Sequence, residues 1–295
     1  MEAIDLDAYL ARIGFAGRAR ADLATLREIH RLHASAIPFE NLSALVGEPI
    51  ALDAASLERK LVRAGRGGWC FEQNLLLRHA LDAIGFRVGT LAARVRWNVP
   101  PHVQTARSHC LLRVEMEEGD YIADVGFGGQ SFTAPLALIP GIEQPTPHET
   151  FRLTTGVRPR SASGTSSGAV SDRDRGLTPV FSVETRIEGA WQVLYLFDLV
   201  EALPADYEVS NWYLAHHPQS QFVNGVIAAR AEADQRHALR HKRYAVHHRD
   251  GRTERREVGD ASELRELLAG PLGIRLDGMP GLDARLAALF GKRSS

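Results

Sequence analysis

The spacing of apolar residues changes near residue 85, and this change constrains the fold more than any other feature of the sequence. Before it, apolar residues recur every three or four positions and glycine or proline closes each segment, which predicts helices. The predicted helices are residues 5–13, 22–33, 56–64 and, from about Cys70, 70–84. Beyond residue 86 apolar residues alternate with polar or small ones. That spacing predicts short antiparallel strands in a sheet or barrel.

The predicted strands of the middle region are residues 91–97, 110–116, 121–125, 181–187 and 191–197. The last third mixes both spacings, with strands expected at 222–230 and 244–249 and helices at 262–268 and 283–290. The sequence therefore predicts an α+β protein of three units, residues 1–85, 86–200 and 201–295. Residues 160–176 are rich in Ser and Gly, and we expect a mobile surface loop there.

Charge and composition exclude several classes of protein. The net charge is −1, so a nucleic-acid binder is not expected, and the basic stretch 240–256 is interpreted as solvated strands. A membrane protein is not expected either, because no apolar run reaches about 18 residues. The acidic, amphipathic start does not resemble a secretory signal, which favours a cytoplasmic protein. Only two cysteines are present, so neither a disulfide nor a structural zinc site is expected.

A cysteine at the start of a predicted helix carries the strongest chemical signal. Residues 66–74 read Arg-Gly-Gly-Trp-Cys-Phe-Glu-Gln-Asn, so two glycines precede Trp69 and Cys70. Glycines permit a tight turn, and unpaired N–H groups and the helix dipole favour negative charge on a residue of the first turn. A thiolate at Cys70 would be nucleophilic. The alternative is a buried structural cysteine.

A thiolate needs a proton acceptor and an orienting carboxylate. His109 opens a predicted strand, and Asp124 lies in an apolar segment where a charge needs a partner. A plain hairpin turning at Glu118 and Gly119 would place Asp124 opposite Arg113. That position is about 13 Å along the strand from His109. The residues alone therefore do not assemble a triad, and Asp124 could equally cap a turn.

Five segments in order resemble the arylamine N-acetyltransferase family. Residues 66–74 resemble its active-site signature, commonly Arg-Gly-Gly-aromatic-Cys-Phe-Glu-x-Asn. Residues 9–14, 37–42, 107–109 and 124–128 resemble further segments of the family. The resemblance is close over residues 9–129 and holds only in outline beyond them.

The resemblance implies a Cys70–His109–Asp124 triad on a cysteine-protease-like catalytic core. It implies three domains, namely an N-terminal helical bundle, a central β-barrel and a C-terminal α/β lid. It also implies an aromatic pocket lined by Phe39, Val95, Phe127 and Trp69, the last at a position that is often Tyr in relatives. The residues that contact coenzyme A stay unassigned.

The implied function is transfer of an acetyl group from acetyl-coenzyme A to an arylamine or arylhydrazine. The reaction would be ping-pong, through a thioester on Cys70, with no metal or bound prosthetic group. The expected partners are these small molecules, and the expected assembly is a monomer or homodimer. Three alternatives stay open: a macrolactam-forming amide synthase of the same family, a cysteine hydrolase resembling papain or transglutaminase, and a non-enzymatic binding module in which Cys70 is merely buried.

Overall fold

The protein is described by a computed structural model covering residues 4–100, 102–156 and 179–291. The Ser/Gly-rich stretch 160–176 predicted as a surface loop lies outside these residues. The described chain combines helices with two antiparallel sheets, which confirms the α+β class. No helix in the described part of the chain is long and apolar enough to cross a membrane.

The first 85 residues form helices at the predicted places. Asp5 and Asp22 cap α1 and α2 by accepting backbone N–H bonds at the third residue beyond them. The predicted helix 56–64 begins earlier, at Ala54, and continues as a π-helical turn over Glu58–Arg63. The short α3 was not predicted, because five residues are too few to show a helical period. The bounds are α1 Leu6–Ile13, α2 Leu23–Ala36, α3 Leu42–Val46, α4 Ala54–Leu57 and α5 Cys70–Ile84.

The middle of the chain forms an eight-stranded antiparallel sheet in the order β5-β4-β3-β2-β9-β8-β7-β6. Its strands are β2 Arg87–Val95, β3 Arg107–Glu115, β4 Tyr121–Ala123, β5 Leu136–Ala137, β6 Glu143–Pro145, β7 Thr150–Gly156, β8 Val180–Ile187 and β9 Ala190–Glu201. One face encloses an apolar cluster that includes Leu111, Phe132 and Tyr195. The opposite face of β3, with Cys110 and Leu112, packs on the helices. The sheet is curved into a nearly closed barrel, and its β3 carries side chains to both sides.

The β3–β4 hairpin does not have the register of a plain hairpin that turns at Glu118 and Gly119. Arg113 pairs with Ile122, and not with Asp124. The chain turns one residue earlier than expected, because the N–H of Gly119 bonds to the carbonyl of Met116. A one-residue shift of the turn moves every partner by two positions. Asp124 therefore follows the end of β4 two positions closer to His109 than the plain hairpin allowed.

The C-terminal region forms a second sheet, in the order β1-β10-β11-β12-β13, and four helices. The expected strand 222–230 was partly wrong, because residues 221–224 form a helical turn and the strand begins only at Ile227. Helix α6 was not predicted either. The bounds are β1 Phe39–Glu40, α6 Pro204–His216, α7 Gln221–Asn224, β10 Ile227–Ala231, β11 Gln235–Arg240, β12 Arg243–His248, β13 Thr253–Glu257, α8 Ala261–Ala269 and α9 Leu282–Gly291.

The pairing of β1 with β10 ties the first region of the chain to the last. Phe39 lies opposite Ala229 in this sheet and also forms a bridge to Gly68, just before Cys70. The C-terminal sheet therefore reaches the start of α5 through a strand of only two residues.

Candidate active site

Two glycines bring Cys70 to the first residue of α5, as the motif predicted. A Cβ at Gly67 would lie 2.1 Å from the carbonyl oxygen of Pro38, so no other residue fits there without a shift of the backbone. At the other side of the helix start, a Cβ at Gly126 would lie 2.6 Å from the Cα of Cys70. Backbone therefore packs directly on backbone at both sides of the cysteine.

Buried polar side chains hold the turn before Cys70. The side-chain amide of Gln73 donates to the carbonyls of Pro38 and Gly68, at 2.8 and 3.2 Å. The carboxylate of Glu72 accepts from the backbone N–H of Trp69 and pairs with Lys60 at 2.6 Å. A buried ion pair between Arg66 and Glu40 joins the turn to β1. These bonds fix the backbone that presents the thiol.

His109 and Asp124 are in direct contact, which the sequence alone could not establish. The Nε2 of His109 lies 2.7 Å from Oδ2 of Asp124, and both side chains are buried. Cys70 helps to raise the pKa of His109, and its thiol donates a 3.9 Å hydrogen bond to the carbonyl of Ser108, the residue before His109. The corrected hairpin register is what brings the carboxylate within reach.

The carboxylate of Asp124 is surrounded by donors. It accepts from the Asn74 amide, the Tyr195 hydroxyl and the backbone N–H of Gly126, each at 2.9 Å. Burial alone would raise the pKa of Asp124, but the charge of His109 and these hydrogen bonds hold it below its usual value. The group therefore stays an anion.

The same pair sets the protonation of His109. Burial would lower its pKa, but the negative charge and hydrogen bond of Asp124, together with Cys70, raise the pKa of His109 to about 10. An imidazolium is thus favoured at neutral pH beside the thiol. An imidazolium held by a carboxylate in this way can stabilise a neighbouring anion and exchange a proton with it.

The four residues expected in the substrate pocket lie in different surroundings. The ring of Phe127 is 5.0 Å from that of His109 and edge-on to it. Phe39 is buried near the glycine turn that follows Phe127. Val95 ends β2 opposite Tyr195, on the strand that also pairs with β3. Trp69 is only 1% exposed, with its ring on Phe222, so its indole is packed inside the protein.

Sequence reasoning missed three side chains of the site. Asn74 donates to both Asp124 and the carbonyl of Cys110, and its own oxygen accepts from the N–H of Val125. Tyr195 donates to Asp124, and the Nε2 of His30 accepts the N–H of Asp124 at 3.2 Å. Burial lowers the pKa of His30 to about 3, so this histidine is neutral. Only Asn74 had a visible signal, its place four residues after Cys70.

Two further cavities lie away from these residues. One, of about 600 Å³, is lined by residues in and next to α3, α6, α7 and α9. The other, of about 1330 Å³, is lined by residues of β2, β7, β8 and β9 and by residues within 96–100 and 102–107. Among the described residues, no cluster of three or more His, Cys, Asp or Glu side chains is placed to hold a metal ion.

The chain matches known proteins along nearly its whole length. The model of an N-acetyltransferase family matches residues 22–280. The arylamine N-acetyltransferase of Mycolicibacterium smegmatis is 38% identical over 98% of this chain and 99% of that protein. The Escherichia coli enzyme of the same name is 36% identical over 92% and 89%. The structure of the Mycobacterium marinum arylamine N-acetyltransferase in complex with CoA superposes with a TM-score of 0.85, at 35% identity over 97% of this chain and 99% of that one. The chain belongs to the arylamine N-acetyltransferase family.

Proposed function

We propose that this acetyltransferase moves the acetyl group of acetyl-coenzyme A to an arylamine or arylhydrazine through a thioester on Cys70. The observation that carries the proposal is the buried His109–Asp124 pair, whose histidine pKa is raised partly by Cys70 at the start of α5. Membership of the family supplies the acetyl donor and the class of acceptor, since a relative in this family was solved with CoA. The reaction then follows from the protonation states of the three side chains.

In the first half-reaction, the Cys70 thiolate attacks the carbonyl carbon of acetyl-coenzyme A. A carbon–sulfur bond forms to Cys70, and the bond to the coenzyme A sulfur breaks. The departing thiolate takes the proton that His109 holds, so the products are acetyl-Cys70, free coenzyme A and a neutral imidazole. Asp124 stabilises the imidazolium before this step and keeps the ring oriented after it.

In the second half-reaction, the nitrogen of the amine attacks the thioester. Its excess proton goes to neutral His109, and the Cys70 sulfur leaves as a thiolate. The enzyme returns to the ion pair from which it began. Because coenzyme A leaves before the amine reacts, the kinetics should be ping-pong, with parallel lines in double-reciprocal plots.

The acceptor would meet a mainly apolar surface beside His109. Phe127 contacts the His109 ring, Phe39 lies beside the Gly128 turn that follows it, and Val95 lies opposite Tyr195, whose ring also contacts Phe127. We assign Phe39, Val95 and Phe127 to the acceptor side. Trp69 supports this apolar surface from inside the protein, where its ring packs against Phe222. An apolar surface suits an aromatic ring and offers few hydrogen bonds to an attacking water.

The three predicted units fit this assignment. Residues 1–85 would supply the nucleophile, residues 86–200 the histidine and aspartate, and residues 201–295 the covering sheet. The cysteine and its two partners are thus brought together only when the first two units pack on each other.

A single-turnover experiment tests the proposal. The protein is incubated with acetyl-coenzyme A, desalted, and followed by intact mass with and without aniline or phenylhydrazine. We expect one acetyl group on Cys70 that persists in buffer and disappears when the amine is added. Equal loss in both tubes would establish water as the acceptor and support a hydrolase.

Failure to load Cys70 from acetyl-coenzyme A would overturn the proposed donor. A Cys70→Ala variant is the control for the position of the label, since it has no nucleophilic atom at position 70 and a stable adduct on it would lie elsewhere. Loading from a longer acyl thioester, combined with refusal of acetyl-coenzyme A, would favour the amide synthase.

A further inference from the structure

A buried arginine far from Cys70 in sequence contacts the segment that follows Phe127. Arg236, on β11, is 2% exposed and forms an ion pair with Glu149, which directly precedes β7. A second nitrogen of the same guanidinium donates to the carbonyl of Gly129. The side chain thus joins three parts of the molecule: the C-terminal sheet, the barrel and the short 3₁₀ turn Gly128–Gln130.

Burying this pair is unfavourable by itself. Burial lowers the pKa of Arg236 and raises the pKa of Glu149, and the attraction between the two charges opposes both shifts. The Nε of Arg236 also has no hydrogen-bond partner within the described residues. Two apolar side chains of similar size would often stabilise a protein as well or better. What the arginine adds is a directed bond to Gly129.

The turn that Arg236 holds is the direct continuation of the active-site segment. Phe127 immediately precedes it, with its ring 5.0 Å from His109 and 5.1 Å from Tyr195. Gly128 has a φ of 73°, a left-handed conformation that favours glycine. The backbone can therefore leave Phe127 and reach Arg236 within two residues.

Further contacts between the same parts support this arrangement. Ala238 lies two residues after Arg236 on β11, and a Cβ at Gly129 would be 3.5 Å from it, in ordinary contact. His148 donates to the carbonyl of Glu232 at 2.7 Å, and its Nδ1 lies 3.2 Å from the Thr133 hydroxyl oxygen. These contacts join the C-terminal sheet to Gly129 and, through His148, to Thr133. Arg236 adds a charged hydrogen bond to Gly129.

We propose that Arg236 is a positioning residue that fixes Phe127 through the Gly128–Gln130 turn and thereby sets the size of the aromatic acceptor that acetyl-Cys70 accepts. The inference rests on the proposed function, because it needs an acceptor that approaches beside His109. The inference predicts different effects on the two half-reactions. Phe127 has no part in the loading of Cys70, whereas the amine must fit against its ring.

The test compares two acceptors on one set of variants. Arg236→Met and Arg236→Lys are assayed with aniline and with the wider 2-aminonaphthalene, after loading from acetyl-coenzyme A. We expect the loading rate to stay within about twofold of wild type. The ratio of kcat/KM for the two acceptors should change about tenfold, mainly through KM, in Arg236→Met and less in Arg236→Lys.

A matched control removes an arginine from another ion pair of the barrel. Arg152→Met breaks the pair with Glu184, whose closest atoms are 2.6 Å apart, on strands β7 and β8. This control should keep the wild-type acceptor ratio. If Arg236→Met leaves Glu149 uncompensated and fails to fold, the double variant Arg236→Met/Glu149→Leu removes both charges and is measured instead.

The outcomes separate the inference from the proposed function. An unchanged acceptor ratio in folded Arg236 variants, or the same change in Arg152→Met, would reduce Arg236 to a structural role and overturn the inference. A large fall in loading would also overturn it, since Arg236 would then act on the nucleophile. If wild-type protein itself does not load at Cys70, the proposed function fails first.

Discussion

The start of α5 and the strand β11 both help to shape the site, but by different routes. At the start of α5, Glu72 bonds to the backbone of Trp69 three residues earlier, so the contact is contained in one short motif. On β11, Arg236 reaches Gly129 and Glu149, which are 107 and 87 residues away in the sequence. In the function and inference that we propose, the first region prepares the nucleophile and the second positions Phe127 beside the acceptor. Local contacts leave a readable motif, whereas distant ones do not.

The largest expected effect concerns Asp124, whose carboxylate is bonded to Asn74 in the first turns of α5. Asp124→Asn replaces the anion beside His109 by a neutral amide, which cannot stabilise the imidazolium and favours the wrong tautomer. We expect loading of Cys70 to slow by about 10³–10⁴-fold in a folded protein. The measurement is the rate of acetylation by quenched-flow mass spectrometry, with circular dichroism to check the fold.

A second aspartate on the same hairpin is the control. Asp120 pairs with Arg113 at 2.6 Å and is partly exposed, so Asp120→Asn should load at close to the wild-type rate. Near-wild-type loading by Asp124→Asn would give Asp124 a structural role only. The comparison between the start of α5 and β11 would then concern structure only, and not catalysis.

The sequence predicted the helices better than the arrangement of the strands. Helices α1 and α5 are confirmed at or within one residue of the predicted bounds, because an aspartate cap or a glycine stop lies next to them in the chain. The sequence left the register of β3 and β4 open, since a hairpin offers several turns of similar energy, and the structure turns one residue earlier than a plain hairpin. That difference brings Asp124 two positions closer to His109.

Side-chain partners from distant segments escaped prediction altogether. Tyr195 donates to Asp124 across 71 residues, and nothing in the alternation of β9 marks it as different from its neighbours. Phe127 was assigned to the pocket by resemblance, and the structure adds its contact with His109. Packing of separate elements decides such partners, so hydrophobic spacing carries no information about them.

A smaller effect should appear in the pH dependence of the two half-reactions. The charge and hydrogen bond of Cys70 help to raise the pKa of His109 in the free enzyme. Acetylation removes both, so the pKa of His109 falls in the acetyl-enzyme. The amine step needs neutral His109 and should rise about tenfold per pH unit until that lower pKa is passed.

The loading step should behave differently, because it uses the charged form of His109. We expect its rate to be nearly flat between about pH 6.5 and pH 8.5. Single-turnover rates measured separately for loading and for transfer to an uncharged arylamine check both profiles. Parallel profiles for the two steps would mean that His109 does not exchange its proton between them.

The smallest expected effect lies at Asn211 on α6, which contacts the residue just before α5. Its side-chain oxygen accepts from the Trp69 indole at 3.0 Å, and its amide donates to the carbonyl of Ile50 at 2.8 Å. Asn211→Ala leaves two buried polar groups without partners and should cost about 1–3 kcal/mol of unfolding free energy. Ser210→Ala, which loses one half-buried bond to the Arg107 carbonyl, should cost about 1 kcal/mol or less.

Because Gln73 and Glu72 hold the turn before Cys70 independently, we expect Asn211→Ala to load Cys70 within about threefold of wild type. Chemical denaturation and the loading assay measure the two quantities on the same samples. A fall in loading much larger than this, without a matching loss of stability, would mean that α6 positions the nucleophile and that the motif does not act alone.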